Sequence, residues 1–236
     1  MARTVRPQIY HDRGRLTCNF YSYWSDLPVQ GAELYVRDGL FAVFETTNFG
    51  LTMGTVALPV EEFGHFRRNL ESTFYSVLDQ VGEIGPRVRS ARREEPFRGT
   101  NDLPNHFLRP YGPGWALVGD AAYNRDPITA QGMMDAFRTA ELLAQSVVDG
   151  LSGQSTLERA LAAYEQHRNE LVRPAFESTV ERARLQPPSA EAARLLAALQ
   201  QDPEQAGLFF GLDAGTVSYE QFFAPENLTR VLGTAA

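Results

Sequence analysis

The chain has 236 residues, 43% hydrophobic and 22% charged, an ordinary globular composition for one large domain or two small ones. Its 22 basic residues, all arginine, are outnumbered by 29 acidic ones for a net charge of −7, and no basic stripe offers phosphate contacts to a nucleic acid. The single cysteine, Cys18, excludes an internal disulfide and a multi-cysteine metal site; with no signal peptide and no apolar run as long as a membrane span, a soluble, cytoplasmic protein is predicted.

In chain order, the first 60 residues read as strands and hairpin turns. From Leu16 to Trp24 the pattern places Leu16, Cys18, Phe20, Ser22 and Trp24 on one face and Thr17, Asn19, Tyr21 and Tyr23 on the other. Asp26-Leu-Pro28 breaks the strand. Residues 33–37 alternate again, Asp38-Gly39 signals a two-residue hairpin into Leu40–Thr46, and Asn48-Phe49-Gly50 turns into residues 51–58. An antiparallel meander of about four strands is expected.

Pro59 stops the sheet. Phe63, Phe66, Leu70, Phe74, Val77 and Val81 form one stripe at three- and four-residue steps, which predicts a helix over 60–81, ended by Gly82 and Gly85-Pro86. A short Arg-rich helix is expected over 87–95, then extended pieces to Arg109. Tyr111-Gly-Pro-Gly114 is a tight turn.

Trp115 to Val118 is a short apolar run, read as a buried strand. Gly119-Asp120 ends it, a polar loop with Pro127 follows, and a long helix starts at Gln131-Gly132. This helix is expected to carry Met133, Phe137, Ala140, Leu143, Ala144 and Val147 inward and to stop at Asp149-Gly150. Its N-terminus offers unpaired N–H groups and a partial positive charge, with Asp120 as an acceptor beside it. Ser155-Thr-Leu-Glu158 reads as a capping box for a further helix, Pro174 as its kink or divide, and Ser189 and Asp202-Pro203 as two more helix starts. Phe209, Phe210, Phe222 and Phe223 are expected to anchor the tail.

Several site motifs are missing. No G-x-G-x-x-G follows a strand, and there is no Walker A, G-x-S-x-G or H-E-x-x-H. His11, His65, His106 and His167 are scattered, so no metal site is read.

Gly119-Asp120-Ala121-Ala122, then Pro127, then Gly132 at a helix start, resembles the second flavin-binding motif of FAD-dependent monooxygenases and their relatives: aromatic hydroxylases, halogenases and geranylgeranyl-reductase-like enzymes. The lead-in from Arg109 to Val118 and the lead-out from Asp135 to Ala144 strengthen the likeness, which covers nearly the whole chain as the family's C-terminal part. The fold it implies is α+β, a fragment of an α/β FAD-binding fold. Residues 1–110 would form a substrate-type antiparallel sheet with helices, 111–150 the partial FAD-binding strand-turn-helix, and 151–236 a C-terminal helical region.

The resemblance implies an FAD-dependent, monooxygenase-like oxidoreductase with NAD(P)H as reductant and a small apolar or aromatic substrate. Gly119, Asp120, Ala121, Pro127, Gly132 and Met133 would be the cofactor-binding residues. Asp120 would accept a hydrogen bond from a ribityl hydroxyl; as a bare turn residue it could equally be a cap. Tyr21, Tyr23, Trp24, Asn48, Phe49, His106 and Phe107 would be substrate candidates, or simply core and rim packing. Many hydroxylases have His where Tyr123 stands, Gly where Thr129 stands and Asn where Met134 stands. The family's glycine-rich segment, which holds the ADP half of FAD, has no counterpart here. The chain then reads as a fragment, as one half of a split flavoprotein whose partner is an N-terminal FAD-binding segment or chain, or as a truncated, inactive ligand- or partner-binding domain. A homodimer is compatible with each.

Overall fold

The structure, a computed structural model, describes residues 2–233. It separates into two compact units: Met1–His11, His106–Thr179 and Pro188–Ala236 form one, and Asp12–Asn105 with Val180–Pro187 the other. The first is called here the motif unit and the second the sheet unit.

A four-residue helix α1 (Ala2–Val5) and strand β1 (Ile9–Tyr10) open the motif unit. The sheet unit follows, with β2 (Thr17–Ser25), β3 (Ala32–Arg37), β4 (Leu40–Thr46) and β5 (Thr52–Pro59). All pairings are antiparallel, but the expected meander covers only β3–β4–β5. β2 lies beside β5, with Tyr21 opposite Thr55 and Trp24 opposite Thr52. Residues 26–31 carry the chain across the sheet, which makes a Greek-key order. β2 alternates as its sequence demands: Cys18, Phe20, Ser22 and Trp24 are buried, while Asn19, Tyr21 and Tyr23 are half-buried on the opposite face.

The helix expected over 60–81 is broken. It starts as a 3-10 turn, continues as α2 (Phe63–Arg68) and α3 (Leu70–Leu78), and ends in another 3-10 turn over Asp79–Val81. The break is Asn69, at φ −133° and ψ 53°, outside the helical region. The stripe nevertheless works: Phe66, Phe74, Val77 and Val81 pack with Phe20, Trp24, Phe44 and Val56 in one core. The expected Arg-rich helix ends early. α4 (Ile84–Ser90) buries Ile84 and Val88, and the next arginines form β6 (Arg92–Arg93), paired with Trp24 and Ser25. An extended pairing satisfies the backbone while both guanidiniums find acids: Arg92 Nε lies 2.7 Å from Glu94 and Arg93 Nη1 3.1 Å from Glu71. β7 (Arg98–Thr100) also pairs with β2. Residues 180–187 close this unit, with the Gly39 N–H donating to the Leu185 carbonyl at 2.7 Å.

In the motif unit, β8 (His106–Leu108) is the centre of a three-stranded antiparallel sheet, between β1 and the later β11 (Tyr123–Asn124). Trp115 to Val118 is not a full buried strand. Only Trp115–Ala116 (β10) pairs, against Tyr111–Gly112 (β9), and Leu117 alone of the four is buried.

Helix α5 (Gly132–Leu151) runs past Gly150. That glycine is needed for packing, because a Cβ there would lie 2.9 Å from Leu157 Cα, and the turn falls instead at Gly153 with φ +81°. Most of the expected inward stripe of α5 faces outward: Met133 is 79% and Phe137 76% exposed, Ala140, Ala144, Val148 and Leu151 continue the exposed row, and only Leu143 and Val147 of the stripe are half-buried. The side turned inward carries Asp135 and Thr139.

α6 (Leu157–Ala183) passes through Pro174 as one helix, and the Arg159 N–H donates to Thr156 Oγ1 at 3.3 Å. Thr156 is therefore the cap, one residue later than the capping box expected at Ser155. The caps at Ser189 for α7 (Ala190–Leu199) and Asp202 for α8 (Pro203–Ala214) stand where the sequence placed them. With α9 (Tyr219–Phe222) and α10 (Pro225–Leu232) these helices enclose Leu199, Leu212 and Phe222. Phe222 is the buried tail anchor, whereas Phe210 is 57% and Phe223 41% exposed.

Candidate functional site

The segment after β10 is held from behind by α6. The Tyr164 hydroxyl donates to the Leu117 carbonyl at 3.0 Å, and burial pushes that phenol up to about 12. Arg168, fully buried, donates through Nη1 to the Ala122 carbonyl at 3.0 Å and to the Leu108 carbonyl at 3.2 Å. The Ala122 carbonyl also accepts from the Leu108 N–H. The chain between Leu117 and Ala122 is thus pinned at both ends, and what lies between them, Gly119–Ala121, is a 3-10 turn.

Gly119 has φ +56°, and a Cβ there would come within 3.2 Å of Ala136 Cβ on α5. Glycine is required for both reasons: the left-handed backbone and the close approach of turn to helix. Asp120 is exposed. Beyond β11, buried Asp126 caps the short turn Pro127–Thr129 by accepting from the Ile128 N–H, and Ala130, at φ 55°, leads to α5.

α5, a 20-residue helix, starts without a capping hydrogen bond from the Gln131 side chain. The Gln131 amide points elsewhere, donating to the Leu212 carbonyl at 3.3 Å. At Gly132 an added Cβ would meet nothing within 4 Å, so the helix start is open.

Gly119, Asp120 and Gly132 share the wall of one small cavity, of about 20 Å³, with Tyr123, Arg125, Asp135 and Ala136. Of the other three expected cofactor residues, Pro127 and Met133 are exposed and Ala121 half-buried, and none of them lines this cavity. Tyr123, Arg125 and Asp135 were not among the expected site residues. The signal for Asp135 was present in the sequence, as the one acid on the first turn of a largely apolar helix. Burial raises its carboxyl above the usual carboxylate range, against the pull of Arg125, and burial also raises the Tyr123 phenol.

The substrate candidates are divided by the fold. Trp24, Phe44, Phe74 and Phe97 form an aromatic cluster under the helices, and Trp24 is fully buried there. It does not share a face with Tyr21 and Tyr23, whose rings meet edge to face at 6.1 Å on the other side of β2. Asn48 is exposed, and Phe49 is 91% exposed with φ 60° at the tip of its turn. In the motif unit His106 is half-buried opposite Asn124, but Phe107 is fully buried against Tyr123 and Phe176 and belongs to the core. No group of three metal-ligating side chains occurs among the described residues, and no helix among them is long and apolar enough to cross a membrane.

An exposed acid on a glycine turn beside an open, uncapped helix start suits a hydroxylated chain leading to an electron-rich or anionic group. Comparison with solved structures gives that arrangement a fold. A flavoprotein/dehydrogenase from Cytophaga hutchinsonii matches 98% of this chain with a TM-score of 0.75 and 18% identity. The halogenase CndH, a myxobacterial FAD-dependent enzyme, matches 96% at 0.67 and 17% identity. PqsL of Pseudomonas aeruginosa, described as a probable FAD-dependent monooxygenase, matches 88% at 0.59 and 24% identity.

The chain has the fold of FAD-dependent monooxygenases and halogenases.

Over 103 residues, 44% of this chain, it is also 36% identical to the ubiquinone hydroxylase UbiL of Rhodospirillum rubrum. No family model matches. The chain spans 55–58% of those three flavoprotein structures and 21% of the hydroxylase. The flavoprotein fold accounts for the mixed architecture of antiparallel sheet and strand-turn-helix.

Proposed function

We propose that this chain forms the ring side of the FAD site in an FAD-dependent oxidoreductase of the monooxygenase type. One observation carries the reading. The positive-φ Gly119, the exposed Asp120 and the open start of α5 converge on one cavity in a chain with a flavoprotein fold.

The residues fit the group. Asp120 would accept a hydrogen bond from a ribityl hydroxyl of the flavin chain. Gly119 would let the backbone approach it, and Ala121 would keep the turn slim. The N–H groups at the head of α5, from Gly132 and Met133 onward, would favour negative charge on the pyrimidine edge. Pro127 would border the ring. When bound, FAD supplies two-electron transfer, with NAD(P)H as reductant and oxygen or an unsaturated compound as acceptor. Tyr21 and Tyr23, which share one face of β2, are the residues we assign to a small apolar or aromatic substrate.

The exposed row Met133, Phe137, Ala140, Ala144, Val148 and Leu151 supports a second part of the reading. An apolar helix face of this kind is usually a contact surface, and we assign it to a dinucleotide-binding segment that completes the cofactor site. The same row would serve a partner-binding domain without catalysis, and flavin binding separates the two. The chain alone is expected to bind FAD weakly, to bind it tightly when a glycine-rich βαβ segment is supplied in trans, and to lose that gain in Asp120→Ala. Equal affinity of Asp120→Ala and wild type in the reconstituted protein would show the motif assignment to be wrong.

A further inference from the structure

In the wall of the same small cavity lies a charge pair whose side chains are almost wholly buried. The Arg125 and Asp135 side chains are only 3% and 10% exposed, and Arg125 Nη2 lies 2.6 Å from Asp135 Oδ2. Arg125 sits in the loop that leaves the Gly119–Asp120 turn, and Asp135 stands in the first turn of α5, three residues after Gly132. The pair therefore ties together the two elements that frame the cavity. Arg125 Nε and Nη2 and Asp135 Oδ2 are buried and make no well-directed hydrogen bond, so the pair is held by charge and by what surrounds it. Arg125 Nη1 donates to Thr179 Oγ1 at 3.4 Å, that hydroxyl is 2.9 Å from Thr129 Oγ1, and Thr179 in turn donates to the Ala175 carbonyl at 2.7 Å. The Tyr123 phenol and the Arg138 guanidinium also face Asp135, Arg138 being held by the Gly215 carbonyl at 2.8 Å.

A buried ion pair is a poor source of net stability, because desolvation offsets the Coulomb attraction. Its value lies in fixing geometry. Here that geometry is the separation between the Asp120 turn and the first N–H groups of α5. We propose that Arg125 and Asp135 are positioning residues for the flavin: they clamp the acidic turn to the helix start so that both meet one ligand at a fixed spacing. This rests on the flavin reading above.

The experiment uses the whole chain with riboflavin as probe, since riboflavin carries the ring and ribityl chain and needs no pyrophosphate site. Riboflavin fluorescence quenching and amide hydrogen exchange over 119–135 are measured for wild type, for the apolar double variant Arg125→Met/Asp135→Leu, and for the charge-keeping variants Arg125→Lys and Asp135→Glu. Removing both charges together leaves no unpaired ion, so the double variant is expected to melt near the wild type. It is also expected to bind riboflavin at least about tenfold more weakly and to exchange faster at 119–122 and 132–135. Should the double variant fail to fold, the two charge-keeping variants carry the test, with the same weakening expected at near-normal melting temperature. Wild-type affinity and exchange in every folded variant would overturn the positioning role alone. Absence of riboflavin binding by the wild type would overturn the flavin reading, and this assignment with it.

Discussion

Tyr23 and Trp24 are adjacent in the chain and opposite in environment. The strand period sends Trp24 into a core of Phe44, Phe74 and Phe97 and leaves Tyr23 half-buried on the far face. The alternation itself was readable from the sequence; which face the helices would cover was not, since both faces carry aromatic rings. Trp24→Ala is expected to cost about 3–5 kcal/mol, as large-to-small core changes do, seen as a lower urea midpoint. Tyr21→Ala and Tyr23→Ala should cost much less. Glu33 gives a pH handle on the sheet unit. The hydrogen-bonded Arg87 guanidinium, 2.7 Å away, is the main cause holding its carboxyl down at about 2, below the usual 4.5. A depressed carboxylate stabilises the fold above its unfolded pKa and loses that contribution as pH falls through the folded one. The stability advantage of wild type over Glu33→Gln, measured by urea unfolding, should therefore be full above about pH 5 and shrink toward pH 2. An advantage that does not change over that range would contradict the pairing.

At the scale of elements, α5 holds the clearest lesson. Its periodicity shows which residues share a face, and Met133, Phe137, Ala140 and Ala144 do share one. Periodicity says nothing about which side is covered. An apolar row is ordinarily turned inward, but this one is exposed, and the inward side carries Asp135 instead. Asp135 stood out in the sequence as the one acid on the first turn, but its pairing did not, because Arg125 lies across a loop at no helical spacing from it. Gly119 was legible because a positive φ and the close approach of Ala136 restrict residue type locally, whereas Asp120 and Gly132 were singled out by the family resemblance. Asn69 breaks a helix that the apolar stripe alone extends without interruption. For the exposed row, Met133→Gln/Phe137→Gln should leave unfolding stability within about 0.5 kcal/mol of wild type, as surface changes do. The same variant should bind a dinucleotide-binding segment in trans markedly more weakly, measured by calorimetry. A large loss of stability would show that the row is packed within the chain.

The whole molecule is an antiparallel sheet unit and a strand-turn-helix unit, together spanning slightly more than half of each of the three flavoprotein structures described above. Strand and helix patterning foretold the mix of elements, and the family resemblance the fold class. The Greek-key placement of β2 beside β5 was not legible, because it depends on a six-residue link whose sequence states no direction. The central claim is that Asp120 and the start of α5 form half of a flavin site that a dinucleotide-binding part completes. The direct measurement is an FAD titration, read by flavin fluorescence, of the chain alone and with a glycine-rich βαβ segment added in trans. Weak binding alone, strengthened at least about a hundredfold by the segment and returned to the weak level by Asp120→Ala, is the result expected of two half-sites acting on one ligand. Affinity that the segment does not raise, or that Asp120→Ala leaves unchanged, would contradict it.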